Sequence, residues 1–94
     1  MKITGKMRQE YKEYLRNEEK SRNTIEKYIR EVESLADWVA GREITKAVIL
    51  VYKEKLQEKH SPISVNSYIS ALNNFFEFAG QSQLKVKTLK ISFE

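Results

Sequence analysis

The sequence contains no cysteine, one histidine (His60), one proline and three glycines. The lack of cysteine excludes disulfide bonds, thiolate metal sites and thiol nucleophiles, and a single histidine cannot supply a zinc site of several imidazoles. So few helix-breaking residues, with 40% hydrophobic and 32% charged residues, favour a helical globular module over a disordered chain or a β-sandwich. No metal or other cofactor is expected.

Long hydrophobic runs are also absent. No segment approaches the roughly 18 apolar residues that a membrane span needs, and no signal peptide precedes the first charged helix. We therefore expect a cytoplasmic protein that does not bind a membrane. A chain of 94 residues makes one small domain, too short for a helical core and a separate catalytic domain.

The charge is moderately positive. Seventeen Lys and Arg against thirteen Asp and Glu give a net charge of +4 and an isoelectric point near 9.3, which favours a polyanionic partner. The last segment, 81–94, carries three lysines against one acidic residue. The charge balance therefore indicates a class of partner but no particular site.

Two stretches of the chain share one pattern. Tyr-Lys-Glu-x-Leu occurs at 11–15 and 52–56, and serine-led segments that end in Tyr-Ile occur at 21–29 and 61–69. The offset is 41 positions in the first part and 40 in the second, so the second loop is one residue shorter. The repeat predicts one helix pair present twice, with two serine-led helix N-termini as possible anion sites.

Four helices are predicted from capping residues and from apolar residues at helical spacing. They run from about Thr4 to Asn17, from Thr24 to Ala40 with Ser21 or Asn23 as cap, from Thr45 to Lys59, and from Ser61 to Gly80. The apolar run 47–52 in the third suits helix or strand, and the helix-forming residues after it favour a helix. The alternating segment 84–93 suits a strand or an extended linker. The predicted fold is all-α, a compact four-helix bundle built from two similar helix pairs.

The polar face of the fourth helix is unusual because it consists of short amides and hydroxyls. Its members are Asn66, Ser67, Ser70, Asn73 and Asn74. Ordinary solvated helix faces prefer Lys, Glu, Gln and Arg, since Ser and Asn compete with the helix for backbone hydrogen bonds. Two interpretations stay open: the face meets a surface of donors and acceptors such as a DNA major groove, or it packs against a neighbour or lies in water.

The spacing of Ser21, Thr24 and Tyr28, then of Thr45, Tyr52 and Leu56, then of Ser61 to Phe76, resembles the core-binding (SAM-like, N-terminal) domain of phage integrases and other tyrosine recombinases. The resemblance covers residues 4–80 and implies a SAM-like bundle that packs across one side of a DNA duplex. It also implies a core-binding domain at 1–80 and a linker at 81–94 toward a catalytic domain that this chain lacks. The implied partners are the core recombination site, the catalytic domain of the same parent chain and other recombinase protomers. This chain itself is not expected to be an enzyme.

The resemblance further implies that the second and fourth helices face the major groove. By position, Asn23, Lys27, Ser64 and Asn66 match residues that touch DNA in relatives. Physical chemistry adds phosphate contacts at the helix starts, from Lys20, Ser21, Arg22, Thr24 and Ser61. Along the fourth helix, Ser70 and Asn73 are added as candidates for base contact. Plain capping is the alternative for the hydroxyls, and a solvated charge is the alternative for Lys and Arg.

A second function is a small helical protein-interaction (adaptor) domain, because fold does not dictate function. An exposed apolar patch would support it. Trp38, Ile63 and Phe78 lie off the main apolar stripes and either form such a patch or close the bundle. No paired acid and base, metal cluster or nucleophile appears in the sequence, so a free-standing enzyme is the weakest alternative.

Overall fold

The computed structural model describes residues 1–91, which form four α-helices and no strand. The helices are α1 (Gly5–Asn17), α2 (Arg22–Val39), α3 (Lys46–Lys59) and α4 (Pro62–Phe78), and a 3₁₀ turn at Ser82–Leu84 follows. The predicted all-α four-helix fold is confirmed, including the helix over the ambiguous run 47–52. Within the described part, no helix combines the length and the apolar character that crossing a membrane requires.

Each helix begins at a hydroxyl residue that caps it. The side-chain oxygens of Thr4, Ser21, Thr45 and Ser61 each accept a hydrogen bond from the backbone N–H three residues later, at 3.1–3.3 Å. These bonds satisfy N–H groups that have no partner inside the helix. Ser21, and not Asn23, is therefore the cap of α2, and this helix starts at Arg22, two residues before the predicted start.

The sequence repeat appears in the structure as a crosswise packing of the two helix pairs. Tyr11 of α1 packs on Phe78 of α4, with ring centroids 5.1 Å apart, and Tyr52 of α3 packs on Trp38 of α2 at 5.2 Å. Tyr11 and Tyr52 are repeat equivalents, and so are Trp38 and Phe78. The first helix of each pair thus contacts the second helix of the other pair through the same kind of side chain.

The centre of this arrangement is the contact between α2 and α4. Lys27 Nζ donates a hydrogen bond to Ser67 Oγ, and these two residues are themselves repeat equivalents, 40 positions apart. A contact between a residue and its own equivalent is the mark of a two-fold relation. The domain therefore has an approximate internal two-fold axis that passes close to Lys27 and Ser67.

The core lies between the four helices and contains mainly aliphatic side chains and phenylalanines. Its most deeply buried members include Leu15, Val32, Leu35, Ile49, Val65, Ile69, Phe75 and Phe76. Trp38 and Phe78 are partly buried against this core, so they close the bundle, whereas Ile63 is 65% exposed. Leu50 and Val51 on the outer side of α3 are also exposed, at 43% and 45%.

After the 3₁₀ turn, the chain folds back along α4. We call residues 84–91 the C-terminal strap. Leu84 and Val86 of the strap are 4% and 6% exposed and belong to the core. Because Val86 lies beside Asn73 and Leu89 beside Asn66, the strap runs antiparallel to α4, from its end toward its start. The role of 81–94 as a linker to another domain stays a prediction.

Candidate nucleic-acid interface

The start of α2 places several of the predicted site residues on the surface. Lys20, Ser21, Arg22 and Asn23 are exposed, and Thr24 is partly buried. Ser21 Oγ donates a hydrogen bond to Thr24 Oγ1 at 2.9 Å, and Arg22 Nε lies 3.2 Å from Glu26 Oε1. An exposed pair of this kind contributes little to stability, so Arg22 is available to another anion.

A groove of about 480 Å³ lies between the end of α1 and the start of α2. Its lining residues are Lys12, Arg16, Lys20, Arg22, Ile25 and Glu26. We call it the basic groove, because four cations and one carboxylate line it. Arg16 also pairs with Glu13 at 2.8 Å, an exposed pair. The positive end of the α2 dipole adds to the field of the four cations at this edge.

Sequence reasoning missed Lys12 and Arg16. The signal that could have found them is their spacing: four residues apart, they lie one turn from each other on the exposed side of α1. The short loop after α1 then brings this side next to Lys20 and Arg22. Only the packing of α1 against α2 turns four separate cations into one groove.

Lys27 occupies a different environment from the other basic residues of α2. It is partly buried, and its ammonium group donates to Ser67 Oγ across the contact between α2 and α4. Lys27 therefore joins the two helices that were predicted to face DNA. Its charge therefore lies at the contact between α2 and α4.

The predicted serines of the fourth helix lie both at its start and further along it. Ser61, the exposed cap, donates to Ser64 Oγ at 3.2 Å, and Ser64 itself is partly buried. Ser70, six residues after Ser64, is exposed. The predicted residues of the fourth helix are therefore spread along α4 and are not gathered in one pocket.

Asn66 and Asn73 hold the C-terminal strap. The Asn73 amide accepts the Val86 N–H at 3.0 Å and donates to the Val86 carbonyl at 2.8 Å. The Asn66 amide makes the same pair of bonds with Leu89, at 2.6 and 2.9 Å. Asn74 in turn accepts a hydrogen bond from the Tyr11 hydroxyl. These amides of the unusual polar face thus have partners inside the domain, and base contact by Asn66 or Asn73 stays a prediction.

The strap is also held by cations. Lys53 Nζ donates to the Lys87 carbonyl at 2.6 Å, and Lys46 Nζ donates to the Lys85 carbonyl. Lys85 Nζ lies 2.9 Å from Glu77 Oε2. Hydrogen bonds from Lys85 and from Ser82 hold the pKa of the Glu77 carboxyl below its usual value. The charge of Glu77, the only charged residue within α4, is therefore compensated by the strap.

One acidic side chain is largely buried. Glu31 of α2 is 9% exposed, and burial raises the pKa of its carboxyl, although the nearby Arg30, Lys27 and His60 act in the opposite direction. Burial also raises the pKa of Tyr52 to about 12. Across residues 1–91, no three His, Asp or Glu side chains are grouped in a way that could hold a metal ion.

Four capped helices, crosswise packing and a basic edge define a small SAM-like helical domain with a surface suited to polyanions. A family model described as the phage integrase N-terminal SAM-like domain matches residues 9–83. The chain belongs to this family, whose SAM-like domain binds DNA in tyrosine recombinases. No curated protein and no solved structure matches the chain significantly.

Proposed function

We propose that this domain binds double-stranded DNA as the core-binding module of a site-specific tyrosine recombinase from a phage or another mobile element. In this proposal α2 and α4 hold one side of the core recombination site. The basic groove carries the proposal, because it gathers four cations at the start of a helix that is proposed to face DNA. Charge of this kind supplies most of the affinity of a protein for a DNA duplex.

Phosphate contacts are proposed for the basic groove and the two helix starts. Lys20 and Arg22, with Lys12 and Arg16 beside them, neutralise phosphates. The hydroxyls of Ser21 and Thr24 lie at the positive end of the α2 dipole, where a phosphate oxygen binds favourably. Ser61 does the same at the start of α4. Lys27 contributes its charge between α2 and α4. These contacts fix the position of the domain on DNA and carry no sequence information.

Base contacts are proposed for Asn23, Ser64 and Ser70, whereas the amides of Asn66 and Asn73, predicted together with them, are occupied by the strap. Asn23 is the best supported of them, because it is exposed in the first turn of α2 and makes no side-chain hydrogen bond to any residue among 1–91. An asparagine amide can pair with both polar atoms of an adenine edge in the major groove. Asn66 and Asn73 would first have to release the strap.

The test is a titration of a labelled duplex with the 94-residue chain between about 50 and 200 mM salt. We expect weak binding, in the range of about 10⁻⁴ to 10⁻⁶ M, that falls steeply as salt rises. Replacing Lys20 and Arg22 by alanine should lower the slope of log affinity against log salt by about one per residue. Lys6→Ala is the matched control, since Lys6 is exposed at the opposite end of α1.

Binding that is undetectable at about 50 mM salt, or that does not respond to salt, would contradict DNA binding. Asn23→Ala should change the preference among randomised duplexes if Asn23 reads a base. The same variant would leave the preference unchanged if Asn23 only faces solvent.

Three further proposals concern the parent protein. The segment 81–94 leads toward a catalytic domain of the same parent chain, and other recombinase protomers bind the same recombination site in the full-length assembly. The protein acts in the cytoplasm. The catalytic step is assigned to that second domain, because this chain holds only the SAM-like domain.

An adaptor function is the second candidate. Leu50 and Val51 support it, because two neighbouring aliphatic side chains are exposed on the outer side of α3. A chemical-shift map distinguishes the two functions. Shifts on adding DNA that are confined to 12–30, 61–74 and the strap support the recombinase function, whereas no shift on DNA together with a partner that contacts α3 supports the adaptor function.

A further inference from the structure

The helix proposed to meet the DNA groove contains no lysine or arginine, but the strap that lies beside it is basic. Lys87 and Lys90 of the strap are exposed, and neither makes an ion pair with another residue of the described chain. Between the lysines, Val86 is buried and Leu89 is partly buried, so the apolar side chains of the strap face the domain. The strap thus presents its cations outward along the flank of α4.

The strap is held on both sides through its backbone. Asn66 and Asn73 of α4 each pair with the N–H and the carbonyl of one strap residue, and Lys53 of α3 donates to a third. Backbone pairing of this kind fixes an extended segment without using its side chains. Lys87 and Lys90 therefore project from a defined position, and their ammonium groups remain available.

The internal two-fold relation places the strap and the basic groove on equivalent flanks of one surface. Lys53, which holds the strap, is the repeat equivalent of Lys12 in the groove, and Asn66 is the equivalent of Glu26 in the groove. Both flanks are thus related by the axis near Lys27 and Ser67. The basic groove lies beside α2 and the strap lies beside α4, so each of the two helices has cations next to it.

We infer that the strap is a DNA-binding element in which Lys87 and Lys90 contact phosphates next to α4. Asn66 and Asn73 are then positioning residues that hold the strap, and they do not read bases. This inference rests on the proposed DNA binding. It explains how a helix without cations can lie against a polyanion, since the strap supplies the charge that α4 lacks.

The experiment measures the salt dependence of duplex binding by the 94-residue chain and by the double variant Lys87→Ala, Lys90→Ala. Two lost phosphate contacts should lower the log–log slope by about two, with the same effect on every duplex sequence. Both side chains are exposed, so thermal unfolding followed by circular dichroism should be unchanged. Lys6→Ala again serves as the matched control and should keep the native slope.

A second arm tests the positioning role with Asn66→Ala and Asn73→Ala. Without the hydrogen bonds to these asparagines, the strap should lose its phosphate contacts, so the slope of log affinity against log salt should fall as it does for the lysine variant. In the background of Lys87→Ala, Lys90→Ala, the asparagine changes should have little further effect on the slope, because both act through the same contacts. If Asn66 and Asn73 had a purely structural role, their replacement would lower stability, and its effect on the slope would not depend on the presence of the two strap lysines.

Four results overturn the inference, and they separate it from the proposed function. If the strap variant keeps the native slope while Lys20→Ala, Arg22→Ala reduces it, the strap does not contact DNA, and the DNA-binding proposal is retained. Tighter binding by the strap variant means that the strap covers the DNA surface. A changed base preference for Asn66→Ala means that Asn66 reads a base. Absence of any duplex binding removes both proposals.

Discussion

At the scale of single residues, Asn66 and Asn73 explain why a helix contains residues that disfavour it. Asparagine in a helix interior is less favourable than alanine by up to about 0.7 kcal/mol, whereas each hydrogen bond to the strap contributes about 0.5–1.5 kcal/mol. Each of the two amides makes two such bonds. The gain from the strap therefore exceeds the loss in helix propensity.

Glu31 supports a prediction on pH. Because burial raises the pKa of its carboxyl in the folded state, its contribution to stability is complete below its ordinary value near 4.5 and is lost as pH rises through the raised value. At neutral pH the buried, ionised carboxylate therefore lowers stability. Glu31→Gln should unfold at a higher temperature than the native chain at pH 7, and the difference should shrink below the ordinary pKa.

The matched control for Glu31 is Glu33→Gln, because Glu33 lies on the exposed side of the same helix. This change should leave the unfolding temperature nearly constant at both pH values. A lower unfolding temperature for Glu31→Gln at pH 7 would show that the attraction of Lys27, Arg30 and His60 outweighs the effect of burial.

At the scale of helices, the caps give the second prediction on stability. Ser21→Ala and Ser61→Ala remove the bonds to the N–H groups of Thr24 and Ser64, so each should lower the free energy of unfolding by about 0.5–2 kcal/mol. Urea unfolding measures the loss. Asn23→Ala is the control within the same turn, since Asn23 is not the cap, and an equal loss for Asn23→Ala would contradict the assignment.

The first half of helix α3 was ambiguous in the sequence because the run 47–52 has apolar side chains at consecutive positions. The structure buries Ile49, Tyr52 and Leu56 and leaves Leu50 and Val51 exposed. Periodicity fails in such a run because inner and outer positions carry the same kind of side chain. The Thr45 cap and the helix-forming residues after Tyr52 were the better signals.

At the scale of the whole molecule, the strap is part of the folded unit. A chain that ends at residue 83 loses the buried side chains of Leu84 and Val86 and the bonds to both asparagines. At about 1.5–3 kcal/mol for each buried aliphatic side chain, the loss of these two side chains alone should lower the free energy of unfolding by about 3–6 kcal/mol. This is a large part of the roughly 5–15 kcal/mol typical of native domains.

Urea unfolding of chains that end at residues 83 and 91 measures this loss. The longer chain retains the whole strap and should unfold at a higher urea concentration than the shorter chain. Equal midpoints for the chains ending at 83 and 91 would show that the strap does not belong to the cooperative unit.

The starts of α1, α3 and α4 followed from the sequence because a cap acts on a backbone N–H only three residues away, whereas for α2 the sequence left Ser21 and Asn23 both open as the cap. The repeat, likewise legible in the sequence, predicted which helices resemble each other. By contrast, the bonds of Asn73 to Val86 and of Asn66 to Leu89 join residues 13 and 23 positions apart, and no local pattern specifies such pairs.

The sequence by itself therefore determined four capped helices, the two similar pairs, the excess of positive charge and the lack of cations on α4. Only the tertiary structure decided that Lys12 and Arg16 join Lys20 and Arg22 in the basic groove, and that the strap lies along the polar face of α4. The physical reason is range: capping and periodicity act within a few residues, whereas the packing of the helices decides which distant side chains become neighbours.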